Sequence, residues 1–478
     1  MLFNSLHFLI FFPIVIGLYF WFPHRFRWII LLISSYYFYM SWKAEYVILI
    51  FFSTLVDYLL GLKIYSEKNS KTKSMFLILS LLSNLGLLFA FKYFNFFNES
   101  LRVLLNHYSI PFDPFTLKLL LPVGISFYTF QTLSYTIDIY RGKLKPEKHF
   151  GIFAVYVSFF PQLVAGPIER AKNLLPQFFE KKYFEYKRVT DGLKLMLWGF
   201  FKKLVIADRA AIISDLIFNN VHDYVGIAYI LGIFFFAFQI YCDFSGYSDI
   251  AIGSAQIMGF KLMDNFKRPY HSKSIAEFWR RWHISLSSWF EDYVFNPLYM
   301  YVSKSKVLKK ISYKKKHYIS FIISIFIGEI LLGLWHGANW TFVIFGIYQS
   351  IFIILYYFTR KYWDKMYSPI QILLTFTIVL GGYIIFRANS VSDLIHISSN
   401  LFSFGQIYFT GQQWLTILIT LMFIVFMELV HVMQIHVKMR EFLSEKPIYA
   451  RWTVYMLIIF AILLFGIFEQ KEFIYFQF

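Results

Sequence analysis

The sequence predicts an all-α, polytopic membrane protein on three observations. Of its 478 residues 58% are hydrophobic and 15% charged, with a mean hydropathy of +0.54. A typical soluble domain carries about 25% charged residues to cover its surface. Apolar runs near the length of a bilayer span recur from one end of the chain to the other, too long and too little alternating for transmembrane strands. The basic residues gather in the short segments between those runs. With 46 Lys+Arg against 28 Asp+Glu the net charge is +18, which here fits the positive-inside rule and anionic lipid rather than nucleic acid. Aromatic residues, 22% of the chain, suit lipid-facing helices with interfacial belts. Cys242 is the single cysteine, so there is no intrachain disulfide and no cysteine-based metal site. An ordinary soluble enzyme, a disordered chain and a disulfide scaffold are excluded.

Taken in order, run 5–22 has no basic leader and no small-residue cleavage site, so it reads as a retained first span. Runs 28–40, 46–62, 75–91 and 118–137 follow. Arg25 and Arg27 come after the first run, Lys63, Lys68, Lys71 and Lys73 after the third, and Arg141, Lys143, Lys145 and Lys148 after the fifth. They alternate correctly with the N-terminus outside and these loops in the cytoplasm. Run 151–167 has basic sequence on both sides and contains Pro161, Gly166 and Pro167, which predicts a broken, re-entrant segment. The stretch 168–224 shows no clear apolar run, and 225–242 and 244–260 read as two spans. Segment 284–300 lies between the basic block 261–281 and the lysines of 304–316 and ends in Phe295-Asn296-Pro297, which predicts a second re-entrant piece. Two such pieces dipping from the cytoplasmic side suggest access for a cytosolic substrate. Runs 318–335, 339–357, 369–386, 413–430 and 452–468 restore the alternation and leave the C-terminus outside. The expectation is about 10–12 transmembrane helices plus re-entrant segments, in one integral domain, 1–478, without repeats or low-complexity linkers.

Two segments concentrate chemistry-bearing side chains. Gly333-Leu334-Trp335-His336-Gly337-Ala338-Asn339-Trp340 joins two apolar runs. An ionisable residue at such a place is costly and marks a functional position by default. A neutral imidazole can take a proton from a hydroxyl, and burial keeps it neutral. If the helix continues, His336 and Asn339 share a face. Asn339 is then a candidate, with Trp335, for holding the substrate or a developing oxyanion. Gly333 and Gly337 admit the close approach of another backbone. The alternative is a histidine hydrogen-bonded between helices. Glu329 falls on the same face, about 10.5 Å earlier at about 1.5 Å per residue, too far to bond His336 directly.

The second segment is Glu277-Phe278-Trp279-Arg280-Arg281-Trp282-His283-Ile284-Ser285-Leu286-Ser287. Arg280 and Arg281 suit the phosphates of a nucleotide-bearing donor; an interfacial helix with snorkelling arginines and belt tryptophans reads the same way. Asp57, Asp138, Asp243, Asp249 and Glu428 lie in apolar runs, as internally paired groups or as proton or ion sites, and none has an obvious partner in sequence. His431 and His436 lie near a basic loop and read as solvated. No set of His, Cys and Asp shows metal-ligand spacing, and there is no nucleophile elbow or phosphate-binding glycine loop. No metal and no permanently bound cofactor are expected.

Several motifs then occur together and in order: Pro122–Gln131, Phe160–Arg170, Asp243-Phe-Ser-Gly-Tyr-Ser-Asp249, Arg268-Pro-Tyr, Glu277–Ser287, Gly333–Trp340 and the terminal Phe473–Phe478. Through them the sequence resembles, over almost its full length, the membrane-bound O-acyltransferase (MBOAT) family in its alginate O-acetyltransferase-like branch. The resemblance implies acyl transfer from a cytoplasmic thioester to a hydroxyl on the outer side, with His336 as the catalytic residue and His283 as a second functional histidine. The chain departs from the family pattern at Glu291, where a basic residue is usual, and at Tyr348-Gln349-Ser350, where His-Gly is frequent. D-alanyl transferases of teichoic acids and peptidoglycan acetyltransferases belong to the same superfamily. The implied scheme places acetyl-CoA near Arg280 and Arg281, its thioester in a tunnel ending at His336, and the acceptor hydroxyl on a periplasmic or extracellular partner protein. That partner would in turn acetylate a polysaccharide such as alginate, at a bacterial inner membrane. The rival is a transporter or flippase without covalent chemistry; against it, the two halves of the chain carry no paired interrupted segments.

Overall fold

The computed structural model describes residues 1–405, 409–469 and 473–474, and helices are the only regular elements among them. The all-α expectation holds. Residues 475–478 of the terminal motif lie outside the described residues. The chain forms two compact units, Met1–Gly192 with Ser254–Met263, and Leu193–Gly253 with Asp264–Phe478.

Among the described residues, eight helices are long and apolar enough to cross a membrane: Ala44–Ser66, Ser70–His107, Ile227–Met258, Tyr313–His336, Trp340–Trp363, Ser368–Arg387, Gly411–His436 and Ile448–Phe465. Leu6–Trp21 is apolar but shorter. The run at 28–40 becomes the 14-residue helix Arg27–Met40. The run at 118–137 becomes the 16-residue helix Ile125–Tyr140, whose start is set by Gly124 at φ 75. Three of the expected spans are thus helices of 16 residues or fewer, below the usual length of a bilayer span. Ile125–Tyr140 is buried along nearly its whole length, so its apolar character reflects a protein interior.

In the first unit the polar groups of the apolar helices satisfy one another. Asp57 is fully buried; Ser80 donates to Oδ1 at 2.6 Å and Asn84 to Oδ2 at 2.8 Å. Ser53 in turn donates to Asn84 Oδ1 at 2.6 Å. The broken segment is confirmed at 151–167. The helix Phe150–Ser158 stops at Phe159 and a short turn Phe160–Leu163 follows. Its irregular backbone is covered by protein, as a nonhelical segment within an apolar unit requires: Phe160 N–H donates to Ser35 Oγ at 3.1 Å, and Gln162 Nε2 donates to Tyr156 O at 3.2 Å.

The second unit corrects three readings. The runs 225–242 and 244–260 are one 32-residue helix, Ile227–Met258. Asp243 separates them in sequence, but it is buried against Lys203 Nζ at 2.7 Å, so the charge requires no loop. The unassigned stretch before it is helical too, with Tyr186–Phe200, a π-helical turn Phe201–Ala207 and Asp208–Phe218. Its apolar signal is interrupted by two buried lysines. Lys202 Nζ pairs with Asp249 at 2.8 Å, and Lys203 Nζ also pairs with Asp208 at 2.9 Å. Glycine makes this possible: a Cβ on Gly199 would lie 2.6 Å from Gly246 O, so the two backbones approach until the lysines meet the aspartates one turn on. Finally, 284–300 is not interrupted at Phe295-Asn296-Pro297. Ile284–Phe290, a π-helical turn Glu291–Phe295 and Asn296–Ser303 run on continuously. Asn296 N–H reaches back to Glu291 O, a wider turn that absorbs the donor missing at Pro297. The break lies earlier, at Trp282-His283.

Candidate active site

His336 is the last residue of the helix Tyr313–His336, and Asn339 caps the next helix, Trp340–Trp363. The helix does not continue past His336, so His336 and Asn339 do not share a helical face, and the two apolar runs form a tight helical hairpin. Its closeness comes from glycine, as the spacing suggested. A Cβ at Gly333 would lie 2.1 Å from Phe342 O, one at Gly337 2.1 Å from the Phe342 ring, and one at Gly346 2.3 Å from Glu329 O.

The imidazole of His336 is 3% exposed. Its Nδ1 lies 2.8 Å from Leu332 O, four residues back on its own helix. A carbonyl only accepts, so Nδ1 carries the hydrogen and Nε2 the lone pair. Phe345 and Phe386 flank the ring at centroid distances of 6.0 and 5.2 Å, both near edge-on. The fixed tautomer in an apolar box is what a general base for a hydroxyl needs.

His283 reaches the same place by another route. It precedes Ile284–Phe290 with φ 43 and ψ 52, a left-handed conformation uncommon for any residue but glycine. What holds it is Asn265, 1% exposed. Asn265 Oδ1 accepts from His283 Nδ1 at 3.1 Å and from Ser285 Oγ at 2.9 Å, and Asn265 Nδ2 donates to Ser248 Oγ at 3.1 Å. Nδ1 again carries the hydrogen. Burial, with His336 nearby, holds the His283 imidazole well below the ordinary histidine range. Trp335, 4% exposed, stands between the two histidines, its ring 5.9 Å from His283 and 4.9 Å from His336.

Beside this pair the second unit holds a cavity of about 520 Å³, whose lining includes Arg280, Trp279, Ser287, Glu291, Glu329 and Leu332. Leu332 is the residue whose carbonyl holds His336, so the cavity reaches to within one helical turn of it. Of the two arginines only Arg280 lines the cavity; Arg281 Nη2 is engaged by Glu277 at 2.6 Å on its own short helix. Asn339 is committed elsewhere: Oδ1 accepts from Thr341 N–H at 3.0 Å and Nδ2 donates to Asn389 O at 3.0 Å. The structure thus brings together His336, His283 and Trp335, sets Arg280 on the cavity, and gives Asn339 and Arg281 structural partners. Asn265 was missed by the sequence reading, since nothing in its spacing marks it. Both departures from the family pattern touch this region. Glu291 lines the cavity, and Gln349 Oε1 accepts from Trp279 Nε1 at 3.2 Å.

Residues 149–392 match the MBOAT, membrane-bound O-acyltransferase family. The chain is 37% identical to the probable alginate O-acetylase AlgI of Pseudomonas putida, covering 85% of this chain and 81% of the relative. It is 33% identical to the peptidoglycan O-acetyltransferase of Helicobacter pylori, covering 77% and 72%, and 31% identical to the teichoic acid D-alanyltransferase of Bacillus subtilis, covering 55% and 68%.

Proposed function

Because the chain belongs to the membrane-bound O-acyltransferase family and is a multi-pass membrane O-acyltransferase of the alginate O-acetyltransferase-like branch, we propose that it carries an acetyl group from cytoplasmic acetyl-CoA to a hydroxyl outside the bacterial inner membrane, for O-acetylation of a polysaccharide such as alginate. The observation that carries this reading is the pair of histidines on Trp335 beside a cavity lined by Arg280 at one part and Leu332 at another. The donor's phosphates meet Arg280, and its pantetheine arm lies in the cavity. His336 Nε2 removes the proton of the acceptor hydroxyl as its oxygen attacks the thioester carbonyl. The carbon–oxygen bond forms, the tetrahedral oxyanion collapses, the carbon–sulfur bond breaks, and the thiolate of CoA takes the proton back from His336. The hydrogen bond to Leu332 O keeps the ring in place throughout.

His283, kept neutral by burial and with Nδ1 engaged by Asn265, acts as an acceptor that orients an amide N–H of the donor. With Asn339 committed as a cap, oxyanion stabilisation falls to other donors. The acceptor hydroxyl belongs to a partner protein on the outer side, which passes the acetyl group to the polymer. The relatives are named as a probable O-acetylase, an O-acetyltransferase and a D-alanyltransferase, which favours this chemistry over transport. The experiment is incubation of the purified protein, reconstituted in sealed lipid vesicles, with radiolabelled acetyl-CoA. Donor-dependent release of free CoA, absent from His336→Ala, supports the reading; label crossing the membrane without CoA release supports transport.

A further inference from the structure

We propose that His271, Glu428 and His431 form a binding site for a divalent transition metal, with Zn²⁺ the best match. The site is separate from the acyl-transfer residues and does not depend on the donor assigned above. Glu428 and His431 lie three residues apart near the end of Gly411–His436 and so share a face. The chain brings His271 to them from 157 residues away, on the short turn Pro269–His271. That distance explains why no ligand spacing is visible in the sequence. Glu428 is internally paired, one of the two readings its place in an apolar run allowed, while the expectation of a solvated His431 is corrected, since that residue is buried, 3% exposed.

The geometry is convergent. His271 Nε2 lies 2.7 Å from Glu428 Oε2, and His431 Nδ1 lies 3.3 Å from Glu428 Oε1. One ligand atom from each residue falls within 4.8 Å of the others. Two imidazoles aim a nitrogen at one carboxylate, and a lone pair facing a carboxylate is unfavourable unless a proton or a cation lies between them. A single metal ion replaces both protons. Two histidines and one glutamate are a set that suits zinc, with the fourth position left to water.

Three further features fit an ion. Tyr241 OH lies 3.4 Å from His431 Nε2, the outer partner that fixes which ring nitrogen faces the site. The side chains of His271 and Glu428 are 24% and 25% exposed while His431 is 4% exposed, so the site has an open side for exchange. The neighbouring cation Lys202, near enough to act on His431, is neutralised by Asp249 at 2.8 Å. Once bound, the metal staples the Gly411–His436 helix to the segment that holds Asn265 and the left-handed Arg268, φ 49. The staple therefore supports the backbone that positions His283.

The test uses the full chain in detergent, stripped with a chelator and titrated with Zn²⁺ alone against a chromophoric competitor. One Zn²⁺ per chain is expected, with binding weakened about 10-fold or more by Tyr241→Phe and abolished by Glu428→Gln and by His431→Ala. His436→Ala, on the same helix but outside the cluster, should bind as the parent does. Monodispersity and melting temperature of each variant report folding. The parent result decides by itself should a variant fail to fold. Failure of the parent protein to take up stoichiometric Zn²⁺, or equal uptake by a folded Glu428→Gln, would overturn the proposal and leave a proton-filled hydrogen-bond network.

Discussion

His336 and His283 lie against the same indole but are secured by opposite means. His336 ends a helix and bonds its own Leu332 carbonyl, four residues back, so the helix that positions the ring also fixes its tautomer. His283 stands in a left-handed break and depends on Asn265, 18 residues away, which also holds Ser285 and Ser248. One residue is placed by local geometry, the other by a buried network in which every member relies on the rest. The first arrangement is robust to distant change and sensitive only at the residue itself. The second spreads its sensitivity over residues that touch no substrate.

The sharpest way to break this comparison is His336→Ala. Loss of general-base assistance is worth about 10²–10⁴ in rate, and the protein should still accumulate in the membrane, because the hydrogen bond from Nδ1 is to a carbonyl of the residue's own helix. Near-normal turnover in a well-expressed variant would remove His336 from the mechanism.

Asn265→Ala comes next. It strips the acceptor from His283 Nδ1 and from Ser285 in a fully buried place, and orphaned buried groups cost about 1–3 kcal/mol. Turnover should fall about 10–100-fold, with a lower melting temperature as well. Asn265→Asp separates positioning from folding. A carboxylate beside Nδ1 favours the imidazolium and raises the His283 pKa. Burial holds that pKa low in the parent, so His283 stays neutral until well below the usual histidine range. The proposed role of His283 as an acceptor requires its neutral form, so the acid limb of the pH–rate profile should move to higher pH in Asn265→Asp. An unmoved limb would show that His283 does not report on turnover.

The two arginines offer a smaller, sharper contrast. Arg280 lines the cavity and Arg281 is held by Glu277. Arg280→Ala should raise the KM for acetyl-CoA about tenfold, about 1.4 kcal/mol, at little cost in kcat, while Arg281→Ala should raise it less. The reverse order, measured by steady-state kinetics, would move the phosphate contact to the other residue. The smallest effect belongs to Cys242→Ser. Cys242 is buried with Sγ 3.5 Å from Met427 Sδ, so its role is packing, and activity should persist within a fewfold. An inactive but folded variant would instead indicate an acyl-cysteine intermediate.

What the sequence determined by itself is the chemistry that depends on composition and on neighbours in the chain. Hydrophobic content predicted the helical membrane class, the run of motifs predicted the family, and Gly333 and Gly337 predicted a close backbone approach, because each signal is carried by residues near one another. Tertiary structure decided whatever depends on a partner far along the chain. Asp243 looked like a break between two spans and is the interior of one helix, because Lys203 neutralises it. Lys202 and Lys203 hid a buried helical segment, because a hydropathy pattern counts a paired charge as a loop charge. Asn339 was a candidate for the oxyanion on the face of His336 should the helix continue, and is a helix cap, because the helix stops at His336. Asn265 was invisible, and His271 could not be joined to Glu428, since hydrogen-bond partners 18 and 157 residues apart leave no periodicity. Burying a polar group is favourable only with its partner in place, and only the folded chain shows which partner that is.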